Sequence, residues 1–119
     1  MRILILVALL FLLPIDARAD DAVPAEIEHL LTSIGSSGCT FIRNGERYDS
    51  NSAEDHLRMK YQRAKRYAKT SEAFIKRLAS NSYLSKKLYY IECEGEEMMP
   101  SGDWLLERLD EYRTESTME

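Results

Sequence analysis

Apolar residues recur at helical spacing in four segments of the chain. The first of these segments follows Pro24, and its apolar side chains are Ile27, Leu30, Leu31 and Ile34. Intervals of three, four and seven residues place side chains on one face of a helix, and proline suits a first helical turn. The pattern therefore predicts an amphipathic helix that begins near Pro24 and is stopped by Gly35 and Gly38.

A β-hairpin and one later strand are predicted from residue type. Residues 39–43 (CTFIR) are rich in β-branched and aromatic side chains, and Asn44-Gly45 follows them. Because Asn and Gly tolerate the positive φ angles of a type I′ turn, the chain is expected to return through residues 46–48. The clearest single strand is the run LYYIEC at residues 88–93.

Three further helices are predicted after the hairpin, and each follows or begins at a residue type that caps helices: Ser52, Thr70 and Ser101. These helices are expected over residues 53–69, over 71–80, and from 101 to about 113. Their inward-facing apolar positions are Leu57, Tyr61, Ala64 and Ala68 in the first, Phe74, Ile75, Leu78 and Ala79 in the second, and Trp104, Leu105, Leu109 and Tyr112 in the third. From about residue 114 the chain is a polar tail.

The order of elements predicts the fold class: helix, β-hairpin, two helices, strand, helix. Three strands cannot bury both faces of a sheet by themselves, so helices must cover at least one face. We expect an α+β fold, with a three-stranded antiparallel sheet covered by helices. No internal repeat or low-complexity linker marks a second domain, so residues 20–119 are expected to form one domain.

The N-terminal residues predict a secretory signal peptide over residues 1–19. A positive start at Arg2 precedes an apolar run over residues 3–15, and Ala17-Arg18-Ala19 has the small residues that a signal peptidase reads. A membrane anchor is the rival interpretation, but 13 apolar residues reach only about 20 Å, short of a hydrocarbon core of about 30 Å. We therefore expect cleavage after Ala19, a periplasmic location and no transmembrane segment in the mature chain.

Charge and cysteine content refine this picture of an exported protein. The full chain has a net charge of -4, and removal of residues 1–19 leaves 14 basic and 19 acidic side chains, a net charge of -5. An exported acidic protein rarely meets nucleic acid, so nucleic acid is not expected as a partner. Cys39 and Cys93 are expected to form a disulfide in an oxidising compartment. The alternative is two buried free thiols.

Basic residues are concentrated in one part of the sequence. Residues 58–77 hold eight basic side chains against Glu72 alone, whereas the chain from residue 78 holds four basic and ten acidic ones. One interpretation is an exposed basic helix face, on which Arg58, Lys65 and Lys69 share a side, that meets another envelope protein or an anionic envelope component. The favoured alternative is that the acidic last helix lies over this segment and neutralises it.

A candidate polar pocket is predicted where the hairpin meets the following helix. If the two pack together, Arg43, Asn44, His56, Arg58 and Lys60 are positioned to bind an anionic group. The alternative is that the cations pair with nearby acids such as Glu46 and Asp49, and that His56 is an ordinary surface residue.

Motifs for catalysis, metals or cofactors are not found in the sequence. His29 and His56 are the two histidines, and neither lies in HExxH or in clustered Cys/His spacing. No serine lies in GxSxG, so no cofactor and no catalytic residue is predicted. A binding or accessory module is favoured. The alternative is a small periplasmic enzyme that uses a polar pocket around His56.

Four segments resemble a family of small uncharacterised Gram-negative envelope proteins, known as a domain of unknown function. The matching segments are CTFIRNG at 39–45, HLRMK at 56–60, TSEAFI at 70–75 and PSGDWL at 100–105. The family pattern has a Gly and a Pro ahead of the last strand, where this chain has SKKLY at 85–89, so a tight turn there is less expected. The resemblance implies a periplasmic address and a shared fold, and it implies no activity.

Overall fold

The computed structural model describes residues 18–118, with side-chain environments from residue 22 onward. The helices are α1 (Arg18–Ser36), α2 (Ser50–Arg63), α3 (Ser71–Phe74) and α4 (Ser101–Thr117), with a 3-10 turn at Lys65–Tyr67 and a π turn, Ile75–Ala79, that continues α3. The strands are β1 (Thr40–Arg43), β2 (Glu46–Tyr48), β3 (Tyr90–Glu92) and β4 (Met99–Pro100). Nearly all of the predicted signal peptide lies outside the described residues. No helix in the described part of the chain has both the length and the apolar composition that a membrane span requires.

The sheet has one more strand than the three that were predicted. Its order is β2-β1-β3-β4, and every pair is antiparallel. The additional strand is β4, in which Met99 pairs with Ile91 and Pro100 with Tyr90. A two-residue strand that contains proline shows no alternating pattern, and proline is tolerated only at a sheet edge, so the sequence could not reveal it. The α+β class is confirmed and the strand number is corrected.

The hairpin between β1 and β2 has the predicted turn. Arg43 pairs with Glu46, and Asn44 and Gly45 both have positive φ angles, of 52° and 81°. Two successive positive φ angles are the requirement of a type I′ turn, which matches the right-handed twist of the strands. This turn fixes the register that places Phe41 opposite Tyr48.

The hydrophobic core lies where α1 packs against the other three helices, and it includes Phe41 and Ile91 of the sheet. All four apolar residues predicted on the first helix face are buried there: Ile27, Leu30, Leu31 and Ile34. They pack with Leu57 of α2, Phe74 of α3 and Leu105 of α4 in one cluster. Full burial of an aliphatic or aromatic side chain contributes about 1.5–3 kcal/mol, so this shared core stabilises the fold more than any surface contact.

A disulfide joins Cys39 and Cys93, whose Cα atoms are 4.3 Å apart. The cysteines lie just before β1 and just after β3, next to the pair Thr40 and Glu92. Their separation of 54 residues corresponds to roughly 4 kcal/mol of stabilisation in the chain-entropy description of cross-links. The described structure therefore has the predicted pairing and not two free thiols.

Both ends of α2 differ from the prediction. Asp49, not Ser52, is the N-cap, and its carboxylate accepts a hydrogen bond from the Ser52 backbone N–H at 2.8 Å. The helix ends at Arg63 instead of residue 69, because Ala64 leaves the helical region with φ -131° and ψ 32°. Beyond Tyr61 the predicted inward face contains only Ala64 and Ala68. Burial of an alanine methyl group contributes too little free energy to stabilise a further helical turn. The 3-10 turn instead redirects the chain and still buries Ala68.

The other helix boundaries were predicted with mixed success. Thr70 caps α3 as predicted, accepting from the Ala73 N–H at 3.0 Å. Pro24 lies inside α1, because that helix already begins at Arg18. Ser101 is not a side-chain cap: it is buried and donates to the Ala79 carbonyl at 2.7 Å, which fastens α4 to the π turn. The expected polar tail from about residue 114 is helical to Thr117.

Candidate functional site

Three of the five residues in the predicted pocket meet where α2 packs over the hairpin. Arg43 is the last residue of β1, and its Nη1 lies 3.0 Å from Nδ1 and 2.8 Å from Nε2 of His56. Lys60 follows His56 by four residues, so both project from the same side of α2. We call Arg43, His56 and Lys60, with the tyrosines that hold them, the basic cluster.

Two tyrosines hold the cations of the basic cluster in place. Tyr48 of β2 accepts a hydrogen bond from Arg43 Nη2 at 3.2 Å, and its ring lies under the guanidinium at 5.0 Å. The hydroxyl of Tyr89 accepts from Lys60 Nζ at 3.0 Å, and the ring of Tyr89 packs edge-on to that of His56 with centroids 6.4 Å apart. Lys60 also donates to the Asn81 carbonyl at 3.4 Å. The lysine is therefore bound to neutral groups alone among the described residues.

The electrostatics of the basic cluster disfavour positive charge. Burial, with the added charges of Arg43 and Lys60, lowers the pKa of His56 to about 4. Burial, with the charge of Arg43, lowers the pKa of Lys60 to about 8. Burial also raises the pKa of Tyr89. In the described part of the chain no carboxylate forms a salt bridge with Arg43 or Lys60.

A cavity of about 370 Å³ opens beside Arg43 and His56. Its lining residues are Phe41, Arg43, Tyr48, Ser52, Ala53, Asp55, His56 and Met59. The guanidinium and the imidazole supply polar groups, while Phe41 and Met59 supply an apolar wall. Lys60 is not a lining residue, and it follows His56 by one turn on the same side of α2. The one acid in the lining, Asp55, is exposed and forms no ion pair with Arg43.

Asn44 and Arg58, the other two predicted pocket residues, lie elsewhere. The Asn44 side chain accepts a hydrogen bond from Ser85 Oγ at 2.7 Å, in the loop that follows α3. Arg58 is two residues from both His56 and Lys60, so it projects from the opposite side of α2. There it binds Glu28 of α1 through two hydrogen bonds of 2.6 and 3.0 Å, and Glu54 at 2.8 Å.

The acids that were considered as partners of the pocket cations bind other groups. Asp49 caps α2, and Glu46 accepts a hydrogen bond from the Tyr48 hydroxyl at 2.7 Å. Sequence reasoning missed Tyr48 and Tyr89, although strand parity carried a signal for both. Tyr48 pairs with Phe41, which shares a sheet face with Arg43, and Tyr89 is two residues from Ile91, the other partner of Phe41.

The remaining histidine and possible metal sites offer no second site of this kind. His29 stacks on Tyr112 of α4 with ring centroids 4.4 Å apart, so it packs two helices together. Among residues 18–118, no group of three His, Cys, Asp or Glu side chains is arranged to hold a metal ion.

The basic segment is not neutralised by the acidic last helix, which corrects the favoured interpretation. α4 packs against α1 and the π turn, and no ion pair between described residues joins an acid of α4 to residues 58–77. The ion pair that joins α4 to this segment has its cation on α4, because Arg113 binds Glu72 at 2.6 Å. Arg113 also binds Glu26 of α1 at 2.8 Å. Since α2 ends at Arg63, Arg58, Lys65 and Lys69 do not form the single helix face that was proposed.

Comparisons with known proteins identify the family and no activity. The chain is 34% identical over 84 residues to the uncharacterized protein YfeK of Salmonella typhimurium, and the match covers 70% of each chain. No solved structure matches the chain. A family model described as a family of unknown function (DUF5329) matches residues 21–113, which include the whole basic cluster. The chain therefore belongs to this family, and the expectation of an uncharacterised domain family is confirmed.

Proposed function

We propose that this protein is an exported periplasmic binding module, and that its cavity binds a small organic anion through Arg43. The observation that carries the proposal is the pair of half-buried cations, Arg43 and Lys60, for which the described residues supply no carboxylate. A charge withdrawn from water is costly unless a partner of opposite sign compensates it. An anion bound in the cavity would supply that partner to Arg43, which lines it.

The lining of the cavity indicates the class of anion. A guanidinium matches the geometry of a carboxylate or a phosphate, because it donates two parallel hydrogen bonds. Neutral His56 can add one further hydrogen bond. Phe41 and Met59 favour an apolar body behind the anionic group, and the volume of about 370 Å³ lies at the small end of ligand sites. A monoanionic carboxylate with a short apolar body fits these features best.

Binding is favoured over catalysis because of the state of His56. A general base works best when its pKa lies near the pH at which it operates. Burial and two neighbouring cations lower the pKa of His56 to about 4, so it is a weak base at neutral pH. Among the described side chains, Arg43 is the one that hydrogen-bonds to its ring nitrogens, and no hydroxyl does so. The alternative of an enzyme built around His56 therefore lacks an activated nucleophile.

Export is supported by the disulfide and by the pattern of the first 19 residues. Disulfides persist in oxidising compartments such as the periplasm and are rare in a reducing cytosol. The test is the intact mass of the protein recovered from the envelope fraction. Export with processing predicts a mature chain that begins at Asp20, whereas an uncleaved chain in the membrane would contradict it.

Calorimetric titration of the mature chain, residues 20–119, tests the binding proposal. The probes are hexanoate, inorganic phosphate and uncharged hexanol at millimolar concentration. Hexanoate should bind and hexanol should not, and Arg43→Gln should weaken hexanoate binding by about tenfold or more, as expected for a lost hydrogen bond to a charged group. The matched control is Arg47→Gln, because Arg47 is exposed on the neighbouring strand β2 and pairs with Glu92. Failure of both anions to bind, or equal binding by R43Q and the parent chain, would overturn the proposal.

A further inference from the structure

A short loop between α3 and β3 has a fixed backbone. Lys86 N–H donates to the Ser82 carbonyl and Ser82 N–H donates to the Lys87 carbonyl, each at 3.0 Å, and Asn81 and Leu88 form an antiparallel bridge at its base. Lys86 has a positive φ of 61°, which closes the turn without a glycine. The tight turn that was less expected here is therefore present. We call residues 82–88 the Tyr83 loop.

The Tyr83 loop presents large apolar side chains to solvent. Tyr83 is 79% exposed, Leu84 is 89% exposed and Leu88 is 46% exposed. Single exposed apolar residues are ordinary on protein surfaces, but a cluster on one tip marks an interaction surface. The backbone hydrogen bonds close the loop while these side chains remain exposed.

Two lysines accompany the apolar tip. Lys86 and Lys87 are exposed, and no salt bridge between described residues involves either of them. Lys86 Nζ lies 5.0 Å from the ring centroid of Tyr83, so the cation and the aromatic ring share one tip. An amphipathic ring, a leucine and flanking lysines are the composition of elements that lie in the headgroup region of a bilayer.

We infer that the Tyr83 loop docks on the surface of an anionic phospholipid bilayer. Tyr83 and Leu84 enter the interface, and Lys86 and Lys87 contact lipid phosphates. The small size of the tip favours lipid over a protein partner, because a stable protein interface buries about 800 Å² on each side, far more than these few side chains offer. The local positive charge of Lys86 and Lys87 complements an anionic surface, although residues 20–119 together have a net charge of -5.

Docking through this loop would bring the cavity close to the membrane. Ser85 Oγ donates to the Asn44 side chain at 2.7 Å, which ties the loop to the hairpin turn beside Arg43. The inference does not depend on the proposed anion binding, because it rests on the loop alone.

Co-sedimentation of the mature chain with vesicles tests the inference. The vesicles are phosphatidylethanolamine with phosphatidylglycerol, and phosphatidylcholine alone serves as the neutral surface. We expect sedimentation with the anionic vesicles and not with the neutral ones. Removal of both apolar side chains, Tyr83→Ser with Leu84→Ser, should lower the partition coefficient by about tenfold or more. Lys86→Asn with Lys87→Gln should lower it roughly fivefold for each lysine, and asparagine is chosen because it tolerates a positive φ.

Matched controls distinguish this loop from general surface stickiness. Leu106→Ser removes an apolar side chain that is 46% exposed on α4. Lys76→Gln with Arg77→Gln removes two exposed cations of the π turn, which also lack a salt bridge among the described residues. Both controls should sediment like the parent chain.

Four results of the sedimentation and gel-filtration experiments would overturn the inference. The parent chain does not bind anionic vesicles, or the loop variants bind them as well as the parent chain does. K76Q/R77Q loses as much binding as the lysine variant of the loop, or the parent chain is a dimer in gel filtration and the loop variants are monomers. A second variant guards against loss of folding: Leu84→Trp should fold, and its fluorescence should shift to shorter wavelength with anionic vesicles. No such shift in the folded variant would also overturn the inference.

Discussion

Two groups of cationic side chains in this protein have opposite surroundings. Arg58 and Arg113, each held by two glutamates, connect helices: Arg58 binds Glu28 of α1 and Glu54, while Arg113 of α4 binds Glu26 and Glu72. We call these the paired arginines. The basic cluster around Arg43 and Lys60 has tyrosine hydroxyls and a neutral imidazole in place of carboxylates.

The pKa directions show the difference between the two groups. The hydrogen bonds that Arg58 donates to Glu28 raise the pKa of Arg58, and those that Arg113 donates to Glu26 raise the pKa of Arg113. In the basic cluster, burial and the charge of Arg43 lower the pKa of Lys60 to about 8. The paired arginines stabilise the folded state, whereas the basic cluster holds charge at a cost in stability. Retention of costly charge is typical of functional sites.

The largest expected effect concerns the pH dependence of stability through His56. Its pKa of about 4 in the folded chain lies below the ordinary 6.5, so between these values the unfolded chain binds a proton that the folded chain does not. Stability therefore falls as the pH falls, by about 3 kcal/mol in total at pH 4, of which about 2 kcal/mol is lost by pH 5. Urea unfolding across this range measures the free energy of unfolding as a function of pH. In His56→Gln this part of the pH dependence should be lost.

The matched control for that experiment is His29→Gln, since His29 lies outside the basic cluster on α1. It should keep the slope of the parent chain. An unchanged slope in H56Q would show that the imidazole is not held neutral by the cluster.

A smaller effect is expected when a paired arginine loses its partly buried acid. Glu26 is 14% exposed, and it binds both Arg113 and the buried hydroxyl of Ser71. Glu26→Ala should lower the free energy of unfolding by about 2 kcal/mol, because it leaves Ser71 and Arg113 with unmade hydrogen bonds.

Glu28→Ala on the same helix sharpens the test. Glu28 is 57% exposed and also binds an arginine, Arg58, so its loss should cost less than about 1 kcal/mol. Chemical denaturation of both variants measures the two values. Equal costs would mean that burial does not decide the strength of these pairs.

The smallest effect is a shift in the pKa of His56 when Arg43 is neutralised. Arg43→Gln should raise the pKa of His56 above its value of about 4, but not to 6.5, because burial is the larger cause of its depression. Arg58→Gln should leave it unchanged, since Arg58 lies on the other side of α2. NMR titration of the imidazole measures both. A lower pKa of His56 in R43Q than in the parent chain would contradict the electrostatic account.

Local patterns in the sequence predicted the parts of the fold that local physics decides. The apolar spacing of the α1 face from Ile27 to Ile34, the Asn44-Gly45 turn and the Thr70 cap are each defined by residues close together in the sequence, and all are present. The strand β4 was missed because two residues, one of them proline, show no alternating pattern, and the end of α2 at Arg63 was missed because the helical spacing continues through alanines that stabilise the helix little.

The candidate site was predicted in part for the same reason. His56 and Lys60 share a helix face by spacing, and the hairpin placed Arg43 beside them. Arg58 was wrongly grouped with them, although its two-residue offset from His56 argued for the other face. The neutralising role of the last helix was also wrong, because charge counts do not reveal which helices are neighbours.

The most direct test of the account compares Arg43→Gln with Arg58→Gln in two measurements, the free energy of unfolding and the affinity for hexanoate. R43Q should lose about tenfold or more in affinity and keep or gain stability. R58Q should keep its affinity and lose about 1 kcal/mol of stability, as expected for a partly exposed ion pair. The reverse result, with R43Q destabilised and still binding or R58Q stable and unable to bind, would contradict the division of the cations into a binding cluster and paired arginines.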